Sequence, residues 1–351
     1  MFLRRSNRAK RDLVVGLDLG ARQLKAAVLQ RDKDEIKLAR YAVTRSVAGA
    51  SKAGPADRLG AELQELMAQL GVSERTARVA ISCPSATVCE TEMPRTPLED
   101  AKNALRLNSV RYVRRDLSSF YLDAIELPDS HATDGKGKIS PTMRVLVAAA
   151  DKEEVRWYRT ALESAKIHPE AIELSALTVV NAFQAGNAEL CQNEIVVLLD
   201  IGAHSTSINL LRQGTPAMTR IMHFGGNHIN EFIGTILTLQ PHVAEEEKIK
   251  MSEAVQPLIG QAISPLAREV RSSIDFFERQ QECHVSRAFA CGGSACSASI
   301  LKFLSNEVGI QFNSWNPSQT LSIAHFNGEG PQLESVAPSL AAAIGAAAPH
   351  V

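Results

Sequence analysis

The sequence predicts an α/β protein of two similar domains facing each other across a cleft, with a small α/β unit inserted in the first domain. Three observations carry this. Gly16 to Leu29, GLDLGARQLKAAVL, reads as a strand, an acidic turn and a second strand. Leu198 to Leu211, LLDIGAHSTSINLL, writes the same pattern again, with Asp18 and Asp200 lying 182 positions apart. At 351 residues the chain exceeds one ordinary domain and fits about two.

The turns carry the chemistry. A glycine two residues after the aspartate, Gly20 in the first turn, lets backbone N–H groups approach phosphate oxygens with no Cβ in the way. An aspartate repels phosphate directly but can hold a Mg²⁺ ion, or its waters, that bridges to it. The plainer alternative is that each aspartate only caps its turn. Repetition favours the ligand reading, because two matched hairpins on two domains meet at a cleft, a favoured place for ligands.

Composition narrows the classes. Apolar residues make up 45% of the chain, enough for two cores, and 38 basic residues face 39 acidic ones. That balance lacks the basic excess of a nucleic-acid binder. Six cysteines are scattered with no CxxC pair, as expected of reduced thiols in a cytoplasmic protein. No apolar run approaches the ~18 residues of a membrane span. The basic start, MFLRRSNRAKRD, lacks the apolar stretch of a signal peptide and reads as a disordered basic tail over residues 1–12, or as a stretch whose Arg4, Arg5, Arg8, Lys10 and Arg11 attract an anionic membrane surface.

In chain order, Val14 and Val15 lead the first hairpin, and Glu35 to Thr44 adds a strand. Ser46 to Asp57 reads as a flexible loop of small residues. Leu59, Leu63, Leu66, Met67 and Leu70 fall on one face of a helix that Gly71 ends. Arg78 to Ser82 is a strand stopped by Cys83-Pro84. From there to Lys166 the pattern is β-α-β-β-α: a strand at Thr87 to Glu92, a helix at Leu98 to Val113, strands at Tyr121 to Glu126 and Met143 to Ala149, and a helix at Lys152 to Lys166. A hydrophilic turn, SHATDGKGKIS from Ser130, separates the last two strands. A short strand at Ala171 to Leu174 and an apolar helix at Leu177 to Ala185 lead into the second hairpin. Then follow a strand at Met218 to His223, helices at Asn227 to Leu239 and Ala244 to Met251, and a long helix at Leu258 to Gln281. Ser286 to Ala290 is a strand ending in CGGSA, followed by a helix at Ala298 to Val308. Val336 to Ala347 reads as one buried helix of small residues.

DLGARQLK at Asp18, DIGAHSTS at Asp200, CGGSA at Cys291 and a small-residue C-terminal helix stand in an order that resembles the actin-like ATPase superfamily. That fold sets two RNase H-like domains around a nucleotide cleft. A closer resemblance, on TRIMHFGGNHIN from Thr219, AEEEKIK from Ala244, REVRSSIDFFE from Arg268, Trp315-Asn316-Pro317 and APSLAAAIGAA from Ala337, is to the PilM family of type IV pilus assembly. It implies a first domain over 13–83 and 167–190, an inserted FtsA/PilM-type subdomain over 84–166, a second domain over 191–226 and 284–351, and a helical lid over 227–283. It also implies ATP or ADP with Mg²⁺ as ligands. Asp18 and Asp200 would serve the metal. Gly20, Gly202, Ser205 and Thr206 would line the phosphates, with Lys25 reaching toward them. Glu245 and Lys248, on one helix face, would approach ribose and adenine, where the plainer reading is a solvated ion pair. Gly292, Gly293 and Ser294 would pack on the adenosine, and Glu173 would orient an attacking water. Arg22 and His204 depart from the small residues usual in such turns.

The function this implies is a cytoplasmic protein, peripheral at the inner membrane, that grips the cytoplasmic tail of a PilN-like partner, with nucleotide tuning its cleft and hydrolysis at most slow. Self-association is compatible with it. Arg106, Arg111, Arg114 and Arg115 read as a solvated face or as part of a partner site. Two alternatives remain open from the sequence. A sugar-type kinase of the same superfamily would need a general base in the cleft, and none stands out between the two turns. An FtsA-like filament protein would end in an amphipathic membrane helix, unlike AAIGAAAPHV here.

Overall fold

Two sheets of the same design are what the two hairpins become. In the computed structural model, which describes residues 13–32, 35–48, 54–127, 140–323 and 332–348, the first hairpin is β1 (Leu13–Leu19) and β2 (Gln23–Asp32), extended antiparallel by β3 (Glu35–Arg45). The amphipathic helix α1 (Ala56–Leu70) starts inside the expected loop and stops at Gly71, whose φ of 66° is left-handed and suits glycine. Strand β4 (Thr76–Ile81) returns parallel to β1. The inserted stretch supplies β5 (Thr87–Pro94), α2 (Leu98–Leu107), α3 (Ser109–Val113), β6 (Phe120–Glu126), β7 (Thr142–Asp151) and α4 (Lys152–Ser164). The expected helix over 98–113 is therefore two, broken at Asn108, which leaves the helical region at φ −144°. Asparagine is a weak helix former because its side chain competes for backbone groups. The SHATDGKGKIS turn falls on residues 130–139, outside the described residues except for Ser140, as does the basic tail.

The first sheet resumes with β8 (His168–Leu174) and leads through α5 (Ser175–Gly186) and α6 (Ala188–Asn193) to the second lobe. There β9 (Ile195–Ile201), β10 (Thr206–Arg212) and β11 (Thr215–Met222) repeat the antiparallel opening. Helices α7 (Gly226–Leu237), α8 (Pro241–Lys250) and α9 (Gln256–Gln281) follow, then β12 (Arg287–Cys291), α10 (Ala298–Val308) and β13 (Phe312–Ser314). The chain closes with β14 (Ser322–Ile323), α11 (Leu333–Val336), a 3₁₀ turn at Ala337–Leu340 and α12 (Ala341–Ala347). The single helix expected over 336–347 is thus interrupted. Pro338 has no N–H to donate and resists a regular α-turn there.

The sheet orders make the repeat explicit. The first runs β14-β3-β2-β1-β4-β8 and the second β11-β10-β9-β12-β13, so β3-β2-β1-β4-β8 in one matches the whole of the other. A third sheet, β5-β7-β6, belongs to the insert, and β5 lies beside β11. Helix α4 follows that sheet but packs on α1, giving Val155, Tyr158, Ala161 and Leu162 to the first lobe's core.

Between the two large sheets lie α5 and α12. Their core joins Val14, Ala27 and Leu29 of one sheet to Val196, Leu198 and Leu211 of the other. Small residues make this possible. A Cβ on Gly16 would fall 2.0 Å from the Ala343 carbonyl oxygen, and one on Gly345 would fall 1.7 Å from that of Thr178. Among the described residues, no helix is long and apolar enough to cross a membrane.

Candidate functional site

Both acidic turns open on one cavity of about 530 Å³ between the lobes. Strand β1 is buried almost throughout and delivers Asp18 to the cavity edge of its sheet. Lys25, its cross-strand partner in β2, brings Nζ to 2.8 Å from Asp18 Oδ2. Strand β9 delivers Asp200 in the same way, with Cys291 of β12 beside it. Among the described residues, Asp200 faces no cation as near as Lys25 is to Asp18, and its pKa is pushed up to about 6, chiefly by desolvation, then by the Asp18 charge, with Lys25 opposing.

The glycines are where the backbone needs them. Gly292 has φ 88°, and a Cβ there would meet Asp200 Oδ1 at 2.5 Å, so only glycine fits. A Cβ on Gly293 would meet nothing within 4 Å, which leaves that peptide open to the cavity it lines. Gly225 and Gly226 lie against the second hairpin's turn. The Gly226 N–H donates to the Gly202 carbonyl at 2.9 Å, and a Cβ on Gly225 would come within 2.5 Å of that same oxygen.

Of the residues expected from sequence, the cavity brings together Asp18, Gly20, Lys25, Asp200, Gly202 and Ser205, and with them Glu245, Lys248, Gly292, Gly293 and Ser294. Lys248 reaches in from α8 and donates to the Gly226 carbonyl at 3.2 Å; burial, then the Arg22 charge, lowers its pKa to about 8. Glu245 forms an ion pair with Arg22 of the opposite lobe.

Two expected residues lie elsewhere. Thr206 is fully buried below the turn, and its hydroxyl donates to the Phe224 carbonyl at 2.8 Å, so it braces the hairpin and does not line the cavity. Glu173 alternates away from the cavity on β8 and accepts from Arg78 Nη2 at 2.5 Å, while Arg78 Nε donates to the Ala346 carbonyl at 3.1 Å. Burial raises the Glu173 pKa and the Arg78 guanidinium opposes it. This pair ties β4, β8 and α12 together.

Sequence reading missed Ser82 and Asn227. The Ser82 hydroxyl meets that of Ser205 at 3.1 Å across the cleft base. A signal existed for it: β4 runs parallel to β1, so its carboxyl end must emerge beside Asp18, where α/β sheets place ligands. Asn227 sits at the mouth and accepts from Arg22 Nη1 at 3.0 Å. Only the tertiary fold reveals that contact.

Paired sheets of one design, closing two Asp-x-Gly hairpins and a glycine turn around a shared cavity, define an actin-like ATPase fold. Solved structures agree. The chain is similar to a PilM-PilN type IV pilus biogenesis complex at 24% identity over 97% of this chain and 98% of that one, with a TM-score of 0.83. It is similar to the ethanolamine utilization protein EutJ from Carboxydothermus hydrogenoformans at 14% identity over 98% and 92%, TM-score 0.53. MreB 5 of Spiroplasma citri bound to AMPPNP matches at 12% identity over 89% and 93%, TM-score 0.50. The family model for type IV pilus assembly protein PilM matches residues 16–349. The chain belongs to the PilM family.

Proposed function

We propose that this chain is a nucleotide-binding assembly protein of a type IV pilus or related secretion platform. In this reading it binds ATP or ADP with Mg²⁺ in the inter-lobe cavity. It holds the cytoplasmic tail of a PilN-like inner-membrane protein, and so sits in the cytoplasm at that membrane. The observation that carries the reading is the convergence of Asp18, Asp200 and the Gly292-Gly293 turn on one cavity. The similar MreB 5 structure is bound to AMPPNP, and the similar PilM structure is a complex with PilN.

The donor set suits a hydrated divalent cation. Two carboxylates of opposite lobes face the same space, and the raised pKa of Asp200 marks a carboxyl group short of positive charge. Mg²⁺, when bound, would supply that charge and neutralise phosphate oxygens. Asp18 and Asp200 would hold its waters, Gly20 and Gly202 would leave room for phosphate, and Gly293 offers a bare peptide face to a flat base. The carboxylates lining the cavity are Asp18, Asp200 and Glu245. Glu173, expected to orient water, is held by Arg78 and does not line the cavity, and the reading is of binding with at most slow turnover.

Calorimetric titration with ATP, with and without Mg²⁺, tests this. The expected result is magnesium-dependent binding by the natural protein, weakened about tenfold or more in Asp18→Ala and Asp200→Ala. Magnesium-independent binding that both variants retain would overturn the site assignment.

A further inference from the structure

Arg22 and His204, one from the turn of each hairpin, meet at one amide. Arg22 stands two residues after Gly20 on the first lobe's turn and lines the cavity. Its Nη1 donates to Asn227 Oδ1 at 3.0 Å, and its Nη2 pairs with Glu245; both partners belong to α7 and α8 of the second lobe. Asn227 is itself oriented. Its Nδ2 lies 3.2 Å from His204 Nε2, so the amide gives its hydrogens to the ring and its oxygen to Arg22. Burial lowers the His204 pKa, and the charges of His228 and His223 add to that against the opposing Glu231.

We propose that Arg22 is a latch across the cleft that also reads the terminal phosphate of a bound nucleoside triphosphate. Without ligand it holds the lobes through Glu245 and Asn227; with a triphosphate it exchanges Glu245 for phosphate. The phosphate-reading half rests on the nucleotide reading above, and the latch half does not.

Three features support the exchange. Arg22 and Glu245 side chains are 29% and 21% exposed, so water screens the pair less than a surface ion pair. The guanidinium fork matches phosphate oxygens as well as it matches carboxylate, so the swap conserves charge pairing. The swap also frees the Glu245 carboxylate to accept from ribose hydroxyls. A diphosphate lacks the γ-phosphate, so Arg22 would stay on Glu245. The difference between the two ligands is then the differential affinity a conformational signal requires. Another polar contact across the cleft, Ser82 with Ser205, is a neutral pair at its base and would act as the pivot.

The test uses the full chain and two variants. Hydrogen exchange of the ligand-free proteins reads the latch: Arg22→Gln and Glu245→Gln should both speed amide exchange in the β1–β2 turn and the start of α7. Unchanged exchange in both overturns the latch. Titration with ATP and ADP reads the phosphate contact. Arg22→Gln should lower the ATP-to-ADP affinity ratio about tenfold, the worth of one charge-assisted hydrogen bond. Glu245→Gln releases Arg22 beforehand and keeps an oxygen for ribose, so it should not lower that ratio. An unchanged ratio in Arg22→Gln overturns the phosphate reading, and a ratio lost equally in both variants overturns the exchange. If the natural protein binds neither nucleotide, the nucleotide reading itself fails, while the exchange measurement still decides the latch.

Discussion

Asp200 concentrates the conflict between stability and ligand binding. Its folded pKa of about 6 exceeds the ordinary carboxylate value of 3.8, so the folded state holds the proton more tightly than the unfolded one. Between those two values the folded chain carries more protons, and stability falls as pH rises through the window. Above it the ionised carboxylate costs roughly 1 to 3 kcal/mol, discounted for its contact with the open cavity. Asp200→Asn should therefore melt higher than the natural protein at pH 7.5 and lose most of that advantage at pH 4.5. Thermal melts at the two pH values measure it; an advantage that grows on acidification would refute the burial argument. Glu173, by contrast, shares its burial with Arg78, and its place is structural. The resemblance implies a water-orienting role for it, but strand alternation turns its side chain away from the cavity.

At the scale of elements, the packing of α12 decides how closely the lobes approach. Gly345 lets the helix backbone run against α5, where a Cβ would sit 1.7 Å from the Thr178 carbonyl oxygen. No rotamer change relieves a backbone clash, so Gly345→Ala should cost about 3 kcal/mol or more. Gly293→Ala, whose new Cβ meets nothing within 4 Å, should change stability by roughly 0.5 kcal/mol or less. Denaturant melts of the two variants test the contrast. The APSLAAAIGAA composition announced close packing, but the break at Pro338 and the identity of the partner helix required the three-dimensional arrangement. Helix α4 teaches a related point. Its sequence position groups it with the insert, whereas its apolar face belongs to α1, because burial depends on the available surface and not on chain order.

For the whole molecule, the consequence of a shared cleft is coupling. A ligand touching both lobes shifts their relative angle only as far as it prefers the closed form. On the proposed reading, a PilN-like tail peptide, titrated with and without Mg-ATP, should show affinities that differ about fivefold or more, and ATP affinity should change by the same factor when peptide is present. Equal affinities would leave a static scaffold. The insert lies with β5 beside β11 of the second lobe, so lobe rotation has a path by which to move it.

The sequence by itself determined the doubled strand-turn-strand, the glycine positions and eleven of the residues that line the cavity, because these depend on local chain geometry and on residue chemistry repeated in register. It also determined where α1 and α9 end and both limits of α10. Only the tertiary structure decided that Glu173 and Thr206 turn away, that Arg22 crosses to Glu245 and Asn227, and that α4 joins the first lobe. Those outcomes rest on which side chain meets which across long stretches of chain, and such meetings are set by the packing of whole sheets and helices rather than by any local pattern.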